Sequence, residues 1–275
     1  TGLLSLAAAT GTTVTGAGYL PNVSIAAGSS GNSLAGKAFV HEFLGTDGAY
    51  AGAADFAPTT AAATGALTFI AGTNSATVTF TGVTDGSMVG AVTTAGSGNT
   101  LNLGANFVAA GALAHVDGTI NVNTFTFEQR GAAIGLGATG TASFTGTGTL
   151  LFYQKDATTN SAFTLTSAGA GSTIGVNVQL NNADATGAED DLILAGGALT
   201  ITGTLTLTDG ELVLGQNLTL TGTTFTIASA ATVSGASILR LNAAVAPMTM
   251  SYTGTPTISN LRVSNDVNLS GTGTA

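Results

Sequence analysis

The sequence predicts an all-β chain wound into a parallel β-helix (a β-solenoid), and three observations carry that expectation. Leu199–Gly210, Glu211–Gly215, Asn217–Gly222 and Thr224–Ala228 each alternate large apolar residues with Thr or another small residue, the pattern of a strand with one buried face. Each piece is short and stops at Gly, Asn or Asp: Gly203, Asp209-Gly210, Gly215, Asn217 and Gly222. The pieces also follow one another too closely for crossover helices, so the chain either winds into a solenoid or folds as tandem β-sandwiches.

The remaining elements follow in order. Residues 1–36 hold one or two strands around Leu3–Leu6, Val14 and Tyr19–Ile25. Lys37–Leu44 breaks the alternation. Its apolar residues Phe39, Val40, Phe43 and Leu44 have helical spacing, which predicts a helical excursion within 37–58, punctuated by Asp47-Gly48, Asp55 and Pro58. Leu67–Ile70 and Ala76–Gly82 flank a turn at Gly72-Thr-Asn74 and predict a hairpin. On that basis residues 1–95 form an N-terminal β-rich region, sandwich-like or irregular, and 96–275 form the β-helix. Ala105–Val116 is a second helical or buried segment, weakened as a helix by Gly111. Beyond it, strands are expected at Ile120–Phe127, Ala142–Phe144, Thr149–Tyr153, Ala162–Thr166, Thr173–Leu180 and Leu192–Leu194. After the alternating run come Ser237–Leu241, Thr249–Tyr252, Thr257–Val263 and Val267–Leu269. Coils of about 20–30 residues accommodate this spacing.

Composition narrows the function. Only 7% of the 275 residues are charged, against about 25% in an ordinary soluble domain. A surface coated with Thr, Ser, Asn, Gly and Ala repels its own copies weakly, so copies of this chain are the expected partners. The net charge is −9, and the five bases (Lys37, Arg130, Lys155, Arg240 and Arg262) are scattered along the sequence. That argues against nucleic-acid binding, which needs clustered cations, and against docking to anionic lipid. Cysteine is absent, and no apolar stretch reaches the 18 residues of a spanning helix, so membrane insertion is not expected. The chain starts at Thr1 and finishes at Ser270–Ala275 in what reads as mid-repeat, which suggests a processed chain or a segment of a longer one.

Gly203–Gly222, with Thr-Leu-Thr-Leu followed by Leu-Val-Leu-Gly-Gln-Asn-Leu-Thr-Leu, resembles the rungs of long secreted surface proteins of Bacteroidota and of autotransporter-type adhesins. Leu101-Asn-Leu-Gly-Ala-Asn106 is similar to the same element. The resemblance is clear over 199–242, extends more loosely over 119–275 and does not cover 1–95. It implies a right-handed parallel β-helix and a place outside the bacterial cell or on its surface. The charge-poor, Cys-free composition also resembles that of surface-layer proteins, which tile cells by self-association.

Little chemistry competes with a structural role. Gly31-Asn-Ser-Leu-Ala-Gly-Lys37 matches a phosphate-binding loop until position 38, where Ala replaces the required Ser or Thr. His41 and His115 stand far apart, without the spacing of a metal or catalytic pair. Asp184, Glu189, Asp190 and Asp191 put four carboxylates within eight residues and are the calcium candidates; no other cofactor is expected. Acids are few and Trp is absent, which disfavours a polysaccharide-cleaving enzyme. Thr-x-Thr pairs at 164/166, 204/206, 206/208, 219/221 and 224/226 would suit an ice-binding face if they stack in register on one flat side. The expectation is therefore an extracellular, non-enzymatic structural protein that self-associates into a filament, fibre or layer. The alternative is an adhesin binding cell-surface glycans through the irregular residues 37–58.

Overall fold

The computed structural model describes residues 91–272 apart from 95–99, 105, 110, 138–141, 154–161, 170–171, 183–190 and 245–246; among residues 1–90 it describes nine strands. Every regular element among the described residues is a strand, and every strand pairing is parallel. One coil, or rung, consists of three short strands on three faces. Leu113–His115, Thr119–Asn123 and Thr126–Gln129 make one such rung on the first, second and third face respectively. Ala133–Leu136, Ser143–Gly146 and Thr149–Phe152 lie directly on it as the next. The stacking continues as a β-solenoid of about 7 turns. Paired residues on adjacent rungs lie from 17 to 31 positions apart in sequence.

The second face is a ten-stranded parallel sheet. The first and third faces join because Leu205–Leu214 passes through a corner without interruption. Leu205–Leu207 pairs on the third face with Phe225–Ile227, and Gly210–Val213 pairs on the first with Ala231–Ser234. Gly210 sits at that corner with φ 91°, a left-handed conformation open to glycine.

Register turns the alternation of each strand into straight rows. Inside the second face run Leu101, Ile120, Phe144, Ile174, Ile201, Leu220 and Leu241, one per rung and all buried. Inside the third run Phe107, Phe127, Leu150, Val178, Leu205, Phe225 and Met250. No single rung encloses this core; each closes it only by lying on its neighbour. The aromatic share gathers in the earlier rungs, where Phe127 lies 5.1 Å from Phe107 and meets Phe144 edge-on at 6.2 Å.

Asparagines secure the corners. Asn106 and Asn217, the last residues of the two Leu-x-Leu-Gly-x-Asn elements, occupy different corners yet do the same thing. Each Oδ1 accepts an N–H from the next rung: Thr126 N at 3.0 Å and Ile238 N at 3.0 Å. Asn177 Oδ1 accepts from Thr204 N, and Asn177 Nδ2 donates to Thr147 O, so it ties its rung to both neighbours. These bonds satisfy backbone groups that the turns withdraw from the ladders.

Several expectations need correction. Lys37–Leu44 is not helical: Lys37–Gly45 is a strand, paired with Gly18–Ile25 and Ala66–Phe69. Its register slips by one residue against Leu20–Asn22, and that bulge accounts for apolar spacing which mimics a helix. Ala105–Val116 contains two strands, Phe107–Ala109 and Leu113–His115, with Gly111 in the turn between faces. The expected hairpin of 67–82 does not form. Ala66–Phe69 pairs with Val92–Thr94 on one face and Ser75–Phe80 with Thr100–Leu103 on another, so the two strands lie on different faces instead of pairing with each other. The antiparallel pairing that a β-sandwich requires is absent among the described residues, before residue 95 as after it. Ile120–Phe127 is two strands, bent at Asn123 with φ 53°.

Candidate interaction surfaces

A solenoid shows the solvent three outer faces and two ends, and chemistry must sit on one of these or be shut inside. Among the described residues, the interior holds one titratable group, His115. His115 takes an inward position on the first face, between Thr94 and Leu136 in register. Its Nδ1 shares a hydrogen bond of 2.5 Å with Thr94 Oγ1, and its Nε2 lies 3.0 Å from Ser143 O. A carbonyl can only accept, so Nε2 carries the proton, and the Thr94 hydroxyl donates to Nδ1 in the neutral ring. Phe144 closes the site edge-on at 5.2 Å. Burial lowers the His115 pKa from 6.5 to about 4, partly opposed by the Ser143 carbonyl and by Asp117. This imidazole is a neutral packing group at neutral pH.

A pH dependence follows. Folded His115 resists protonation, whereas in the unfolded chain it binds a proton below about 6.5. Its contribution is intact above that pH, declines as pH falls towards 4 and is flat below. Chemical denaturation at pH 7 and below pH 4 should reveal a loss of about 3 kcal/mol from this residue. His115→Leu should remove that part of the pH slope, whatever its own baseline stability.

The outer side of the third face presents hydroxyls in register. Thr204 and Thr206 lie against Thr224 and Thr226, then Thr249 and Ser251, then Asn268 and Ser270. The last rungs form a shallow open groove of about 380 Å³ over Thr206, Thr226, Ser251 and Ser270, with Tyr252 along it. The pairs at 204/206 and 224/226 thus stack on one face, whereas 164/166 lies on the first face and Thr219 on the second. The second face carries its own outward row: Thr100, Thr119, Ser143, Thr173, Thr200, Thr219, then Arg240 and Arg262. Sequence inspection passed over that row because its members are scattered along the chain and meet only through rung register.

Of the calcium candidates, Asp184, Glu189 and Asp190 lie outside the described residues. Asp191 opens the strand Asp191–Gly196, half-buried, opposite Glu211 of the next rung. Among the described residues no group of three or more His, Asp or Glu side chains could hold a metal ion. Lys37 of the phosphate-loop-like motif begins a strand, not the helix whose N-terminus would cradle a phosphate. His41 lies in that same strand.

Among the described residues, the last rung leaves inward positions exposed. Leu261, Val263 and Leu269 continue the inward rows of Leu239, Leu241 and Met250. In those earlier rungs the same positions are at most 4% exposed; here they are 41%, 52% and 65% exposed. Leu261–Val263 and Val267–Thr272 each pair on one side only, which leaves backbone donors and acceptors along their outer edge.

The stacked parallel rungs place the chain among β-solenoids, a form compatible with β-helical repeat proteins. Compared with protein-family models, curated proteins and solved structures, the chain matches none of them.

Proposed function

We propose that this chain is a non-enzymatic structural protein of the bacterial cell exterior, whose copies stack end to end into a filament, fibre or layer. One observation supports this above all: the last described rung offers an apolar surface and two strand edges shaped like the top of every buried rung. A strand from a second copy, or from a further stretch of the same chain, can add there, with main-chain bonds giving affinity and the inward rows setting register. The low charge of the outer faces removes the repulsion that ordinarily keeps such edges apart.

The test is assembly in solution. The purified chain should form elongated particles by electron microscopy, with a size that grows with concentration. Leu261→Ser, Val263→Ser and Leu269→Ser combined should leave monomers of near-unchanged thermal stability, since these side chains are already exposed. A wild-type chain that stays monomeric at high concentration sinks the proposal. The hydroxyl groove beside Tyr252 supports a second reading, an adhesin that lays a neutral glycan along the third face.

A further inference from the structure

Two charged pairs on different faces have matching geometry. Arg240 and Arg262 occupy the same outward row of the second face on adjacent rungs. Two of the chain's five bases therefore stand one rung apart, about 4.8 Å by strand spacing. Like charges directly opposite are destabilising, and neither guanidinium has an acidic partner among the described residues. On the first face, Asp191 and Glu211 are likewise opposite each other on adjacent rungs. All four side chains are at least partly exposed.

We infer that copies also associate side by side, the second face of one docking on the first face of another, with Arg240 and Arg262 against Asp191 and Glu211 of the neighbouring copy. This rests on the self-association reading above and adds its lateral contact. Four features favour a second copy over a foreign anion. The same chain carries both pairs, and the pairs have the same one-rung spacing. They lie on different faces, and the acidic pair is flanked by Ile193 and Val213, also opposite each other and half-buried. Arginine stems cover such apolar ground while their heads reach the carboxylates. The acid rungs precede the arginine rungs by two, so neighbours pointing the same way are staggered by about 10 Å along the axis. Joining unlike faces is a heterologous contact, which repeats from copy to copy as a closed ring or an open array.

The test uses the full chain carrying the three end-blocking serines, so that lateral association is read alone by sedimentation velocity. At low ionic strength the parent should self-associate, and about 1 M salt, with a Debye length of about 3 Å, should abolish it. Arg240→Glu with Arg262→Glu should weaken association at least tenfold, and so should Asp191→Lys with Glu211→Lys. An equimolar mixture of the two variants should recover it, because each then supplies the face the other has lost. The inference is overturned if the parent is monomeric, if either variant associates like the parent, or if the mixture fails to recover. A monomeric parent that binds alginate through the arginines assigns the row to an acidic polysaccharide instead. Normal end-to-end filaments from the unblocked chain, alongside a failed mixture, would sink the lateral contact and leave the end-to-end reading standing.

Discussion

Phe127→Ala should cost about 4 kcal/mol, measured as a shift of the urea midpoint, because it opens a cavity in a region where rings pack on rings. Phe127 is fully buried, with Phe107 on the rung before it and Phe144 across the core. The loss combines the transfer of a large apolar side chain, two ring contacts of about 0.5–1.5 kcal/mol each and a void that flanking strands cannot close without leaving register. Leu269→Ala is the control. It removes a side chain of similar apolar character from a position 65% exposed, so its effect should stay within about 0.5 kcal/mol. Equal costs at the two positions would mean that the rows do not form the core described here.

Gly222→Ala should destabilise by about 3 kcal/mol or more, although it adds a single methyl group. A Cβ at this corner would stand 2.0 Å from Gly203 O, 2.7 Å from Gly203 C and 3.0 Å from Thr202 O. All three are backbone atoms of the rung below, so no side chain can swing aside; relief requires parting two hydrogen-bonded rungs. Gly135→Ala is the matched control, since the nearest atom to a Cβ there is 3.9 Å away. Replacing Gly by Ala in such space is neutral or mildly stabilising through the unfolded chain. Thermal denaturation of the two variants decides the point: similar melting temperatures would refute the close corner.

How much of this was legible beforehand depended on the kind of signal. Strands such as Leu199–Ile201 and Leu218–Leu220 were plain because one face of each is buried and Thr fills the other. Direction was harder. Residues 67–82 look like a hairpin because Gly and Asn mark any turn, and only the pairing partners separate a reversal from a corner. Corners also hid inside continuous patterns: Thr119–Asn123 and Thr126–Gln129 read as one strand until Asn123 bends the chain, whereas Asp209-Gly210 reads as a break that Leu205–Leu214 passes through. Lys37–Gly45 misled because a bulge shifts the phase of alternation. Of the candidate surfaces, the Thr pairs were visible in sequence. The arginine pair was not, since Arg240 and Arg262 meet only once rung length is known.

The ties made by Asn106 and Asn217 reach only as far as the adjoining coil. Apart from the bond from Ser167 Oγ to Gln216 Oε1, which skips one coil, such ties do not depend on how many coils lie beyond the immediate neighbours. An in-frame duplication of about twenty codons would insert one more layer and leave every existing contact except those at the junction unchanged. Length is thus a heritable variable that genes for such chains can lengthen or shorten by unequal crossing-over, without rebuilding the fold at each step.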